Sequence, residues 1–125
     1  MRLGMRWDWE TFPQFMDSVD RTPKGVNVLA LFGLNPLLLN VMGIDSKGRS
    51  ATDAEMQRMR EILREAMEAG ACGFSTQRGG EDSIQRDYDG TPMITDIQPK
   101  EDVLKLASVL GEVGRGFIQG AGDRD

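Results

Sequence analysis

The hydrophobic positions of the chain change spacing several times, from helical to strand-like and back. The first helical stretch follows a capping box formed by Thr11 and Gln14, with apolar side chains at helical spacing: Phe12, Phe15, Met16 and Val19. This pattern predicts a helix over about residues 11–20. The run VNVLALF comes next, and its near-continuous apolar character predicts a strand buried on both faces.

The middle of the chain predicts a short helix, a long helix and a second strand. Pro36 after a potential Asn35 cap favours a short helix in NPLLLNVMG. A capping box of Thr52 and Glu55 then opens an amphipathic stretch that ends at Gly70, which predicts a helix over 53–69. The small apolar segment ACGFSTQ after it predicts a strand.

A polar segment of about twenty residues separates this strand from the last helix. Loops of that length are usually functional or disordered, so the order of residues 79–98 stays open. Pro99 at a first helical position, acidic residues in the first turn and an apolar stripe predict a helix that ends at Gly114. The strand-like GFIQG follows it.

Strands that alternate with helices predict an α/β fold with parallel pairing through right-handed crossovers. Three strands with open edges leave apolar surface uncovered. The chain is therefore expected to be part of a larger unit, or a protomer that completes itself by association, and a homo-oligomer is expected under either interpretation.

Composition narrows the partners and the chemistry. The charge of -5 and the scattered basic residues argue against nucleic-acid and membrane surfaces. The longest apolar run is interrupted by Gly33, Asn35 and Pro36, which argues against a membrane helix. A single cysteine and no apparent signal peptide predict a cytoplasmic protein. With no histidine, catalysis by a Ser-His pair or at a His-ligated zinc cannot be carried entirely within the chain.

Four segments in order resemble the metal-dependent amidohydrolases of the D-aminoacylase, or N-acyl-D-amino-acid deacylase, type. These segments are GMRWDWETFPQFMD, VMGID, EMQRMREILREAMEAGACGFSTQ and YDGTPMITD, and the resemblance extends over roughly residues 4–119. It implies a partial (β/α) TIM-barrel-like slice with about three parallel strands and three to four helices, forming a single domain over 1–125 truncated at both ends.

The resemblance also implies the chemistry of a longer parent enzyme. That parent would hydrolyse the amide of N-acyl-D-amino acids or similar C–N bonds with water activated by zinc. Histidines that relatives carry near GFIQGAG and beside the position of Gly33–Asn35 are absent here. No catalytic residue and no metal ligand is therefore assigned to this chain, no cofactor is expected in it, and it is expected to be inactive by itself.

The candidate substrate contacts lie where two predicted strands end. In parallel barrels such side chains face the active site, which nominates Ser75, Thr76, Gln77, Arg78 and Gln119. Arg78 is the candidate for pairing with a substrate carboxylate. The alternative is that the two hydroxyl side chains only satisfy backbone groups of the loop.

Other conspicuous residues have structural interpretations. Cys72 follows a helix end in an apolar strand and is expected in the core. Trp7 and Trp9 are expected to pack against the barrel wall. The spacing of the loop acids does not fit a calcium site, so a solvated loop is expected at Glu81, Asp82, Asp87, Asp89 and Asp96. The rival to the barrel interpretation is a small acidic α/β module that works by binding or self-association without catalysis.

Overall fold

The described part of the chain folds as a three-stranded parallel sheet with five α-helices. The computed structural model describes residues 7–122. Its elements follow in this order: α1 Phe12–Arg21, β1 Phe32–Gly33, α2 Leu34–Met42, a 3₁₀ turn Ile44–Ser46, α3 Asp53–Glu68, β2 Gly73–Gln77, α4 Ile94–Ile97, α5 Lys100–Val113 and β3 Phe117–Ala121. The α/β class and the three parallel strands are confirmed. Three to four helices were expected and five are present, because the short helix α4 lies within the segment that was predicted as a loop.

The two capping boxes start α1 and α3 as predicted. The Thr11 hydroxyl accepts a hydrogen bond from the Gln14 N–H at 3.4 Å. The Thr52 hydroxyl accepts one from the Glu55 N–H at 3.2 Å, and the Glu55 carboxylate accepts one from the Thr52 N–H at 2.8 Å. These bonds satisfy N–H groups that have no partner within the helix.

The strands lie side by side in sequence order, β1-β2-β3, and both pairs are parallel. Right-handed crossovers between consecutive neighbours put the connecting helices on one face of the sheet. Phe74 of β2 is fully buried with those helices. Ser75 and Gln77 are half-buried, and Ser75 points to the opposite face because side chains alternate along a strand.

The core lies between the sheet and the helices, and α3 packs closely on α5. Its fully buried side chains include Leu34, Leu38, Met59, Leu63, Met67, Phe74, Ile94, Leu106 and Val109. At the edge of the α3–α5 contact, Arg60 donates to the Lys105 carbonyl at 2.6 Å. Arg60 and Arg64 also form ion pairs with Glu112.

The prediction of a strand over VNVLALF is mostly wrong. Only Phe32 and Gly33 are strand, and Val26, Val28 and Leu29 are exposed. The hydrogen bond from the Cys72 N–H to the Ala30 carbonyl, 2.9 Å, lies just upstream of the paired residues. The described residues supply one helical layer, so the burial on both faces that the apolar run predicted does not occur.

Two further apolar features remain uncovered in the described part of the chain. All five residues of β3 are exposed, including Phe117 and Ile118. Trp7 stacks on Trp9 with ring centroids 5.1 Å apart but is 85% exposed, so the expectation that Trp7 packs against the barrel wall is wrong. The first residues of the GMRWDWETFPQFMD segment and the end of the chain lie outside the described residues.

Candidate functional site

A cavity of about 270 Å³ lies at the carboxyl ends of the three strands. We call it the strand-end cavity. Its lining comes from the strand ends, the start of α2, the long loop and α4: Gly33, Asn35, Pro36, Ser75, Thr76, Gln77, Gln85, Met93, Thr95, Gln119, Gly120 and Ala121. Carboxyl ends of parallel strands are the usual place for a binding site in α/β proteins.

Four of the five nominated residues line this cavity: Ser75, Thr76, Gln77 and Gln119. The sheet register brings them together, because Ser75 is directly opposite Gln119 in the β2–β3 pair. Pairing of the two strands therefore explains why residues more than forty positions apart in sequence share one site.

Arg78, the fifth nominated residue, is not among the lining residues. Its guanidinium donates to the Gln98 carbonyl at 3.1 Å. Gln98 is buried and donates from its side chain to Asp102 at 2.7 Å, and Asp102 accepts from the Ala51 N–H at 2.8 Å. Arg78 thus contacts a polar network that joins the end of β2 to the starts of α5 and α3.

Three buried side-chain oxygens of the lining have no hydrogen-bond partner among the described residues. They are Asn35 Oδ1, Thr76 Oγ1 and Thr95 Oγ1. Thr95 is only 1% exposed. A buried hydroxyl or carbonyl without a partner costs about 1–3 kcal/mol, so such groups are uncommon in a purely structural position.

A buried carboxylate organises the loop beside the cavity. Asp96 is 4% exposed and accepts hydrogen bonds from the Gly79 N–H at 2.7 Å and from the Gln77 amide at 3.1 and 3.2 Å. The Gln77 amide also donates to the Ser83 hydroxyl at 2.9 Å. These contacts hold Gln77 by its amide nitrogen at the cavity wall. The expectation that Asp96 belongs to a solvated loop is wrong.

The outer part of the long loop is fixed by Lys47. Its ammonium group lies 2.9 Å from the Asp87 carboxylate and donates to the Thr91 hydroxyl at 2.7 Å. The hydrogen bond from Lys47 lowers the pKa of Asp87 below its ordinary value, and hydrogen bonds from Thr91 do the same for the pKa of Asp89. The sequence leaves open whether residues 79–98 are ordered. In the structure this segment is ordered, because specific contacts hold it.

A second cavity, about 560 Å³, adjoins the first along the loop. It shares Gln77, Gln85 and Ala121 with the strand-end cavity. Asp82 and the fully exposed Ile84 also line it. The opening at the strand ends is therefore wider than the strand-end cavity alone.

The lining of the strand-end cavity contains no Asp, Glu, Lys or Arg. Within residues 7–122, no three metal-ligating side chains come together in a group that could hold a metal ion. The residues present do not fit a zinc site, which needs three or four such ligands. The described arrangement can bind and orient a ligand through hydroxyl and amide groups.

Sequence reasoning missed Asn35, Thr95 and Asp96. Asn35 occupies a position where a family histidine was sought, but its own side chain was considered only as a helix cap. Thr95 and Asp96 belong to YDGTPMITD, a segment that carried the resemblance without a role for its residues. The sequence carried no signal for this placement, because α4 lies far along the chain from both β2 and β3.

None of the helices in residues 7–122 has the length and apolar character needed to cross a lipid bilayer.

Comparison with known proteins finds relatives that are named deacylases. The chain is 47% identical over 66 residues to N-acyl-D-aspartate deacylase of Alcaligenes xylosoxydans xylosoxydans, which is 53% of this chain and 13% of that protein. It is 37% identical over 73 residues, 58% of this chain, to D-aminoacylase of the same organism, of which it covers 15%.

A longer match covers nearly the whole chain. It is 31% identical over 121 residues, 94% of this chain and 20% of the other, to an uncharacterized protein of Mycobacterium tuberculosis. No family model matches, and no solved structure matches. The chain spans about a fifth or less of the length of these relatives, and it is similar in sequence to proteins named N-acyl-D-aspartate deacylase and D-aminoacylase.

Proposed function

We propose that this chain is a central slice of the barrel of a metal-dependent amidohydrolase that acts on N-acyl-D-amino acids or similar C–N bonds. The observation that carries the proposal is the meeting of Ser75, Thr76, Gln77 and Gln119 at one strand-end cavity. The names of the relatives indicate the class of substrate that the cavity would bind.

The topology supports the barrel. Consecutive strands lie side by side with their connecting helices on one face, as in a barrel wall, whereas a doubly wound sheet has helices on both. Further strands of a longer parent would pair with the outer edges of β1 and β3. They would also cover Phe117 and Ile118, which are exposed in the described part of the chain.

The residues present in this chain can contact the substrate but cannot activate water. Hydroxyls of Ser75 and Thr76 and the amide of Gln119 orient the substrate by hydrogen bonds. Zinc in the parent, held by residues on segments other than those described here, would supply the activated water. The chain by itself is therefore expected to bind substrate weakly and to hydrolyse none of it.

A chimera tests this proposal. The chain replaces the corresponding barrel segment of the Alcaligenes N-acyl-D-aspartate deacylase, to which 66 of its residues align, and the histidines that the host carries near GFIQGAG and Gly33–Asn35 are restored. Hydrolysis of a panel of N-acyl-D-amino acids is measured with added zinc. The chimera should be active, while the 125-residue chain alone should be inactive.

The unmodified relative is the positive control. A folded but inactive chimera would contradict the proposed role of this segment. Hydrolysis by the isolated chain would contradict the placement of the metal ligands elsewhere.

Self-association without catalysis is the second candidate function, and exposed β3 favours it. A strand with a free edge and apolar side chains can pair with a second copy of the chain. Sedimentation velocity over a hundredfold concentration range would show a dimer under this alternative. Phe117→Lys and Ile118→Lys would then return the chain to a monomer.

A further inference from the structure

The two open edges of the sheet are complementary to each other. In the order β1-β2-β3, the outer edges of β1 and β3 have no strand partner among residues 7–122. Both strands run in the same direction, because each pairs in parallel with β2. The outer edge of β3 in one copy can therefore pair with the outer edge of β1 in a second copy and continue the same parallel sheet.

Helix α1 lies at the β1 side of the helical layer. Its Phe12 ring contacts the Phe32 ring of β1 edge to face, with centroids 5.1 Å apart, and α1 also contacts α3. Phe12, Phe15 and Met16 are only partly buried. In a wall of parallel strands joined by right-handed crossovers, a helix that precedes a strand lies between that strand and the one before it. Helix α1 is thus positioned to cover a strand beside β1 that the described residues do not supply.

The edge at β3 lacks what α1 supplies at the other edge. Ile118 is directly opposite the buried Phe74 in the β2–β3 pair, so its side chain is on the helix-covered face of the sheet. It is nevertheless 45% exposed, and every other residue of β3 is exposed as well. One edge therefore has a strand without a covering helix, and the other edge has a helix without a strand beneath it.

The segment before β1 is also uncovered. Val26, Val28 and Leu29 are exposed, although the run VNVLALF has the sequence of a buried strand. Strand β1 has two residues and β3 has five, and α2 begins directly after β1. Pairing along the whole of β3 would therefore extend β1 toward its amino end, into this exposed apolar run.

We propose that copies of this chain associate in series, with β3 of one copy paired in parallel with β1 of the next, whose α1 packs over Ile118. The inference rests on the self-association described above as the second candidate function and gives it a direction. Antiparallel pairing of β3 with β3 is the symmetric alternative, but it would leave the apolar face of α1 and residues 26–29 uncovered in both copies. Association in series covers all of these apolar groups in one contact.

Two variants, each altered at one edge, test this direction. The β3-edge variant is Ile118→Lys, and the β1-edge variant combines Val26→Lys with Leu29→Lys, because lysine on an edge strand opposes pairing. Val26 and Leu29 are 73% and 81% exposed, so their replacement should leave the melting temperature of the monomer unchanged. Gly120→Lys is a second β3-edge variant, since a Cβ there meets no atom within 4 Å.

Sedimentation velocity from about 10 µM to about 1 mM distinguishes the two arrangements. The unsubstituted chain should form species larger than a dimer, and each variant alone should associate at least about tenfold more weakly. An equimolar mixture of the β3-edge and β1-edge variants should form a heterodimer and nothing larger, because each chain keeps one intact edge. Ile84→Lys, at a fully exposed position of the long loop, is the matched control and should associate like the unsubstituted chain.

Three results would overturn the inference. They are a monomeric unsubstituted chain at about 1 mM, a dimer of the β1-edge variant alone, and equal weakening by the Ile84→Lys control. The second of these is the result that antiparallel pairing of β3 with β3 predicts, because the β1-edge variant keeps β3 intact.

Amide signals locate the contact within the mixture. The β3-edge variant is ¹⁵N-labelled and titrated with the unlabelled β1-edge variant. Signals of residues 26–33 in the labelled chain should shift and their hydrogen exchange should slow, since its β1 pairs with the intact β3 of the other chain. Signals of its own β3 should stay unchanged, and shifts confined to β3 would overturn the proposed direction.

The outcomes separate this inference from hydrolysis by the chimera. A monomeric chain together with an active chimera would overturn this inference alone. Association in series together with an inactive chimera would overturn the proposed role in hydrolysis and leave the inference standing.

Discussion

The backbone N–H of Gly79 donates to the buried carboxylate of Asp96 at 2.7 Å. Gly79 lies two residues after the end of β2, and Asp96 lies in α4, seventeen positions later. The bond therefore joins the end of β2 to α4. A Cβ at Gly79 would lie 2.8 Å from Ser83, so the close approach at this turn requires glycine. One carboxylate therefore joins the start of the long loop to α4.

Removal of that carboxylate should loosen the loop. Asp96→Ala leaves the Gly79 N–H without its acceptor and leaves the Gln77 amide with the Ser83 hydroxyl, at a cost of roughly 2–3 kcal/mol in the free energy of unfolding. Urea denaturation should register this loss, and hydrogen exchange should accelerate over residues 79–93. Asp82→Ala, an exposed acid of the same loop, is the control and should change neither. Unchanged exchange in the Asp96 variant would contradict the anchoring role.

Gly73 should be the glycine most sensitive to substitution in the sheet. Its φ is +144°, and a Cβ there would lie 1.8 Å from the Phe117 carbonyl oxygen in β3. Gly73→Ala should therefore cost about 3 kcal/mol or more and separate the two strands. The matched control is Gly120→Ala in β3, where a Cβ meets no atom within 4 Å. Similar unfolding midpoints for the two variants would contradict the close approach.

The cap of α3 should make stability depend on acidity. The hydrogen bond from Arg49 and, next, that from the Thr52 N–H lower the pKa of Glu55 from 4.5 to about 2. A lowered folded-state pKa means that the ionised group stabilises the fold above pH 4.5, and that this contribution is lost as the pH falls toward about 2.

Glu55→Gln isolates this effect because glutamine can keep the capping hydrogen bond while the charge is removed. Urea denaturation at several pH values gives the difference in the free energy of unfolding between the unsubstituted chain and the variant. This difference should be largest near neutrality and shrink between pH 4.5 and 2. Glu61→Gln, an exposed acid of the same helix 3.6 Å from Arg58, should show little pH-dependent difference. A difference that does not change with pH would rule out the ion pair as its cause.

The sequence predicts helices of this chain better than strands, and local chemistry explains why. The Thr52–Glu55 capping box and the apolar stripe of α3 lie within one segment, so the sequence contains all the information needed. Burial of Val26–Leu29 depends instead on which elements lie above and below them, and residues 7–122 provide only one helical layer. An apolar run cannot report which of its faces is covered.

The sequence predicts the part of the candidate site that lies at the ends of strands. Ser75, Thr76, Gln77 and Gln119 follow from the rule that parallel strands present functional residues at their carboxyl ends. Arg78 follows from the same rule, yet its guanidinium contacts the Gln98 carbonyl and it does not line the cavity. The rule gives a position along the strand but not the direction of a long side chain, which depends on neighbours distant in sequence.

Gln119 offers the cleanest test of the site in the chimera. It is exposed in the described part of the chain and lines the strand-end cavity opposite Ser75, and no folding role depends on its amide. Gln119→Leu, of similar size, should therefore leave the melting temperature of the chimera unchanged and reduce kcat/KM roughly tenfold through loss of one hydrogen bond to substrate. Gln57→Leu on the exposed surface of α3 is the control for replacement of a glutamine by an apolar residue. Full activity of the Gln119 variant would remove its amide from the substrate contacts and leave only Gly120 and Ala121 of β3 at the cavity.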